Sequence, residues 1–227
     1  MSLDLIVVDD AEAASRRVGE LLAEAAHDGG HIALSGGKSP ELAHEAAARL
    51  QPDWSRVELW WGDERCVPPE DERSNFRLAR ENLLDHLGAP PREVQRIRGE
   101  VGADEAAREY DRLLRAGPLD FVLLGIGPDG HTASLYPDQP TLDERERLAI
   151  PAEAKLEPFV DRVTLTVPAL TSAPAVVFIV TGGEKSDAVE RAFGRPPDRT
   201  SPASLIRSAE GRTLVVADEA ATAGLHA

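Results

Sequence analysis

Cysteine occurs once in the 227 residues, at Cys66, so no disulfide can close within the chain and no cysteine-based zinc site can form. The six histidines are scattered and none shows H-E-x-x-H spacing; the one H-x-x-x-H pair, His27 and His31, is split by Gly29-Gly30 and so does not mark a local metal site on a helix. No apolar run approaches the length of a membrane span. The first ten residues lack a basic region and carry acids within the apolar stretch, which argues against a signal peptide. Lysine is rare (Lys38, Lys155 and Lys185), whereas acids are abundant, and the formal charge is −15. Such a surface repels phosphate backbones and anionic lipid, so neither nucleic acid nor membrane is expected as a partner. Basic residues beside glycine turns are therefore informative, because an anionic ligand would need them against an adverse overall field.

What is present is an ordinary hydrophobic fraction of 42% and an alternation of short apolar runs with amphipathic stretches. That alternation predicts an α/β fold with helices packed on a sheet. Strands are expected at Leu5–Val8, His31–Ser35, Val57–Trp61, Leu119–Leu124, Ala175–Val180 and Thr213–Ala217. Arg162–Val167 alternates strictly and reads as a half-exposed strand. Helices are expected at Ala11–Ala26, Asn75–Leu87, Ala103–Leu114, Glu184–Phe193 and Pro202–Arg207. A further helix opens at Ser39-Pro40, with serine at the N-cap, proline at N1, and Leu42, Ala46 and Leu50 as its buried stripe. Residues 136–161 hold four prolines and many charges, and read as loop with a weak helix. Nothing resembles a linker or a repeat, so one domain over residues 1–227 is expected.

Chemistry concentrates where strands meet glycine. The run Phe121–Leu124 stops on Gly125-Ile-Gly127-Pro-Asp129-Gly130 and is followed at once by His131. In open α/β sheets, ligands bind at the carboxyl ends of the strands. An imidazole delivered there can exchange protons near neutral pH. The Gly125-x-Gly127-x-x-Gly130 pattern matches a dinucleotide fingerprint, but the second strand with an acid about 20 residues on is missing, so no nucleotide cofactor is expected. Gly37-Lys38-Ser39 imitates the end of a P-loop, yet Ile32 stands where its first glycine should be. What remains at Ser35-Gly36-Gly37 is a strand, a glycine turn and a helix start, which suits an anion. Asp63-Glu64-Arg65 follows a third strand, and Gly182-Gly183-Glu184-Lys185 a fourth. Ser134 lacks a nucleophile elbow, and Cys66 reads as a small filler residue.

Together, Ser35-Gly-Gly-Lys-Ser-Pro40, Trp61-Gly-Asp-Glu-Arg-Cys-Val-Pro68, Leu124-Gly-Ile-Gly-Pro-Asp-Gly-His-Thr-Ala-Ser-Leu-Tyr-Pro137, Arg162–Pro168 and Gly182–Lys185 resemble the glucosamine-6-phosphate isomerase/6-phosphogluconolactonase family over nearly the whole chain. Two departures are small: Tyr136 stands where phenylalanine is more usual, and Lys38 lies inside the glycine turn. After the histidine, deaminases of this family continue with an Ile-Ala-Phe-Asn-Glu-Pro type of segment, whereas this chain reads Thr132–Pro137, which favours the lactonase branch. The resemblance implies a single-domain, mostly parallel, Rossmann-like twisted sheet with helices on both faces. It further implies metal- and cofactor-independent hydrolysis of a sugar-phosphate lactone by a cytoplasmic protein, with a monomer as the expectation. His131 would be the base, with Asp63 or Asp129 orienting it. Substrate would contact Ser35, Gly36, Gly37, Lys38, Arg65, Gly130, Arg162 and Lys185.

Overall fold

The computed structural model describes residues 2–226. Its strands are β1 (Ser2–Val8), β2 (Gly30–Leu34), β3 (Val57–Trp61), β4 (Asp63–Arg65), β5 (Glu93–Val94), β6 (Phe121–Leu124), β7 (Ala149–Ala152), β8 (Arg162–Leu165), β9 (Ala175–Val180) and β10 (Arg212–Asp218). Its α-helices are α1 (Ala11–Asp28), α2 (Lys38–Leu50), α3 (Asn75–Asn82), α4 (Ala103–Leu114), α5 (Val167–Thr171), α6 (Ser186–Phe193) and α7 (Glu219–Thr222).

Seven strands form one wholly parallel sheet in the order β1-β10-β9-β6-β2-β3-β5. The central strands are covered on both faces, which is why they read as unbroken apolar runs. In β6, Val122, Leu123 and Leu124 are wholly buried, and each contributes roughly 1.5–3 kcal/mol. From β2 the chain moves outward through β3 to β5, then returns to β6 on the other side of β2 and proceeds to β9 and β10. The order therefore reverses between β2 and β6, and a crevice opens at their carboxyl ends. The expected mostly parallel sheet is present, and no helix among the described residues is long and apolar enough to cross a membrane.

A second, antiparallel sheet, β4-β8-β7, stands beside the carboxyl end of β3. It corrects two expectations. β8 is not half-exposed: all four of its residues are buried, and its polar side faces the protein's own crevice and loops instead of water. The segment 136–161, expected as loop with a weak helix, contains β7 as well as a single 3-10 turn at Pro140–Asp143. Pro151 hid β7, but an edge strand tolerates proline because one side of its backbone needs no partner.

Helix α2 departs from its expected pattern in two ways. Gly37, with φ of 105°, is the N-cap, and Lys38 the first helical residue, so Ser39 and Pro40 lie inside the first turn. The inward face carries Ala43, His44 and Ala47, while Leu42 and Leu50 are 47% and 56% exposed. The reason is the close approach of α1, where a Cβ on Gly19 would stand 2.5 Å from that of Ala46. Only the small residues of α2 fit against that helix.

Candidate active site

Each element that ends at the crevice is tied down by a specific bond. Tyr110 of α4 accepts from Trp61 N–H (2.8 Å) and donates to Trp61 O (3.1 Å), which fixes the end of β3 one residue before Gly62. Gly62 N–H donates to Leu34 O (2.9 Å), so the turns after β2 and β3 sit level. The Ser39 and Thr181 hydroxyls share a 2.6 Å bond that joins the start of α2 to the end of β9.

Residues 63–65 then alternate as a strand must. Asp63 and Arg65 face the crevice, and Glu64 points away. The buried Glu64 carboxylate accepts from Ser74 Oγ (2.9 Å), Asn75 N–H (2.7 Å), Phe76 N–H (2.8 Å) and Arg65 N–H (2.7 Å). It caps the first turn of α3, whose free N–H groups favour an anion. Burial, outweighing these four bonds, pushes its carboxyl above the usual range.

The cleft so formed has a volume of about 400 Å³. It gathers Ser35, Gly36, Gly37, Lys38, Asp63 and Arg65, together with His131, Arg162 and Lys185. Asp129 and Gly130 do not line it, and both lie behind His131 in the turn that carries it. Among the described residues, none of Lys38, Arg65, Arg162 and Lys185 forms an ion pair. Arg162 is only 4% exposed, and its Nε has no acceptor; its Nη2 reaches the carbonyls of Leu156 and Pro158 at 3.3 and 3.2 Å. Arg65 Nε is likewise buried without an acceptor. Burial depresses the Lys185 ammonium, an effect that Glu184 offsets only in part. Four unpaired cations in one cleft of a protein with charge −15 make a site for an anion.

The two aspartates separate clearly. His131 Nδ1 lies 2.5 Å from Asp129 Oδ1, which also accepts from His131 N–H at 3.1 Å. Burial works against the Asp129 carboxylate, but its hydrogen bonds with His131 outweigh it and hold the carboxyl below its usual range. An ionised acceptor at Nδ1 fixes the tautomer with the proton on Nδ1 and the lone pair on Nε2. Asp63 instead accepts from Ser134 Oγ (2.6 Å) and Asn75 Nδ2 (3.1 Å).

Asn75 and Ser134 are the residues that sequence reasoning missed as site members. Nothing local marks them: Asn75 looks like an ordinary first residue of a helix, and Ser134 reaches Asp63 across 71 positions. Glu64 was visible only as one member of a charged triplet.

The architecture and the cleft can be set beside known proteins. The model of glucosamine-6-phosphate isomerases/6-phosphogluconolactonase matches residues 9–215. The chain belongs to this family. Within it, the chain is 37% identical to 6-phosphogluconolactonase of Mycobacterium leprae over 244 aligned positions covering 98% of each protein. It is 35% identical to that of Haemophilus influenzae, covering 84% of this chain and 85% of the relative. The crystal structure of 6-phosphogluconolactonase from Leishmania guyanensis superposes with a TM-score of 0.88 at 26% identity, over the full length of both chains. In this family member, the segment after the histidine is the Thr132–Pro137 turn, which carries the Ser134 bond to Asp63.

Proposed function

We propose that the protein hydrolyses 6-phospho-D-glucono-1,5-lactone to 6-phospho-D-gluconate, the reaction after which its relatives are named and a step of the pentose phosphate pathway. The observation that carries the reading is the His131–Asp129 pair at the edge of a cleft of unpaired cations. The imidazole Nε2, free of partners among the described residues and holding its lone pair, takes a proton from water as the oxygen attacks C1. The carbonyl oxygen gains charge, which free backbone N–H groups and the cations of the cleft would offset. The imidazolium, stabilised by Asp129, then returns the proton to the ring oxygen as the C1–O bond breaks. Atoms balance with one water consumed, and no step calls on a metal or cofactor.

The phosphate is assigned to the Ser35-Gly36-Gly37 turn and the start of α2, with Arg65, Arg162, Lys185 and Lys38 as its cations. Gly130, which does not line the cleft, shapes the turn behind His131. Asp63, held by neutral donors, is assigned to a sugar hydroxyl. The protein is read as a monomeric cytoplasmic enzyme, and its net charge disfavours nucleic acid and anionic membranes as partners.

The test is lactone hydrolysis above the spontaneous rate, measured against an enzyme-free control and with and without a chelator. Hydrolysis that survives chelation supports the reading. Loss of activity on chelation removes the metal-free route. Ammonia release from glucosamine 6-phosphate, without lactone hydrolysis, would assign the family's other chemistry instead.

A further inference from the structure

The chain returns to His131 five residues after leaving it. Beyond the imidazole it folds back through a turn in which Leu135 N–H donates to Thr132 O (2.9 Å), and these two residues form an isolated antiparallel bridge. Ala133, inside that turn, has φ of 48°, a left-handed conformation that side chains with a Cβ seldom adopt. The neighbours hold the turn in place. Ser134 N–H donates to Thr164 Oγ1 (3.1 Å), Ser134 Oγ to Asp63 Oδ2 (2.6 Å), and Thr132 Oγ1 to Gly125 O (2.8 Å). Backbone strain kept up by so many bonds is a feature of functional sites. What the turn delivers is Tyr136, 2% exposed, with its ring centroid 5.0 Å from that of His131 and the planes inclined at 38°.

We infer that Tyr136 is a positioning residue for His131, which rests on the reading of His131 as the base. Asp129 holds the imidazole through Nδ1 alone, and a ring tethered at Cγ with a single hydrogen bond can still rock about the Cβ–Cγ bond. Contact with the Tyr136 ring removes this freedom. Gly127 closes in as well: a Cβ there would stand 2.1 Å from both Cε1 and Nδ1 of the imidazole, so only glycine lets the ring lie where it does. Nε2 is thereby aimed by three contacts. A shift of about 1 Å in a reacting group costs about 10²-fold in rate. The hydroxyl is buried and, among the described residues, makes no hydrogen bond, and burial pushes it up against the pull of Arg162, so it is not what holds the imidazole. The ring carries the role.

The experiment compares Tyr136→Phe, Tyr136→Leu, His131→Ala and the double variant His131→Ala/Tyr136→Leu. Lactone turnover, KM, affinity for 6-phosphogluconate and thermal unfolding are measured for each. Tyr136→Phe should stay within about twofold of the parent, because the ring remains. Tyr136→Leu should lower kcat about 10–10²-fold with KM and product affinity unchanged. In the His131→Ala background, the same change should have no further effect. The imidazole ¹⁵N signal of His131 should be sharp in the parent and broadened in Tyr136→Leu. If Tyr136→Leu does not fold, Tyr136→Met serves in its place. Unchanged kcat in Tyr136→Leu, an equal loss in both backgrounds, or an equal loss in Tyr136→Phe overturns the positioning role. Full turnover in His131→Ala would instead overturn the reading of His131 as the base, and the inference with it.

Discussion

Arg65 and Arg162 stand directly opposite each other on the antiparallel pair β4–β8. Like charges in that relation destabilise a sheet. Among the described residues neither has a carboxylate partner, and both have a buried Nε without an acceptor. An anion between them relieves the repulsion and satisfies the donors, which gives the pair a reason to exist in an acidic protein.

Replacement of Arg162 by alanine is therefore expected to act on binding. Losing charge-assisted bonds of about 1.5–3 kcal/mol corresponds to a KM raised by roughly 10–10²-fold, with kcat little changed. Inorganic phosphate should raise the melting temperature of the parent and raise that of Arg162→Ala less. Steady-state kinetics and thermal scans read both effects. A fall confined to kcat would remove Arg162 from the phosphate site.

His131→Ala is expected to lower turnover about 10²–10⁴-fold while 6-phosphogluconate still binds. Asp129→Asn should do nearly as much, because an amide no longer enforces the Nδ1–H tautomer. Asp63→Asn leaves the imidazole's partner in place and should affect KM more than kcat. Should Asp63→Asn, and not Asp129→Asn, abolish turnover, the two carboxylates have been given each other's roles.

His44 is wholly buried on α2, neither ring nitrogen has a partner among the described residues, and burial brings its pKa down to about 4. The unfolded chain binds this proton near pH 6.5, and the folded chain only near 4. Stability from His44 is thus present above pH 6.5 and is lost as pH falls toward 4, by roughly 3 kcal/mol in all. The melting temperature of His44→Leu should fall less over that interval than the parent's. Parallel curves for the two proteins would refute the assignment.

Cys66 should be inert in the native state. Burial, with the charges of Asp161 and Glu64, pushes its thiol up to about 11. At pH 8, a disulfide reagent should modify the folded protein about 10²-fold more slowly than the unfolded chain. Equal rates would show a thiol more ionised than its surroundings allow.

The residues legible in sequence are those whose signal is local. Leu119–Leu124, ended by glycines and followed by His131, announces a strand and a site through apolar run length and turn chemistry alone. The Ser35-Gly36-Gly37 turn does the same. The fold class follows from the alternation of such segments, and the family from the order of five short motifs. β5, two exposed residues long, carries no signal to read, and β7 was masked by its proline.

The amino-acid order by itself determined the long helices, the principal strands of the parallel sheet and the turns that carry chemistry, because periodicity and glycine conformations act within a few residues. Only the tertiary structure decided that Asp129, not Asp63, holds His131, that alanines and not leucines of α2 face inward, and that Asn75 and Ser134 share Asp63. Those outcomes depend on which surfaces meet across tens of residues, where steric fit and hydrogen-bond completion choose between partners that look equivalent along the chain.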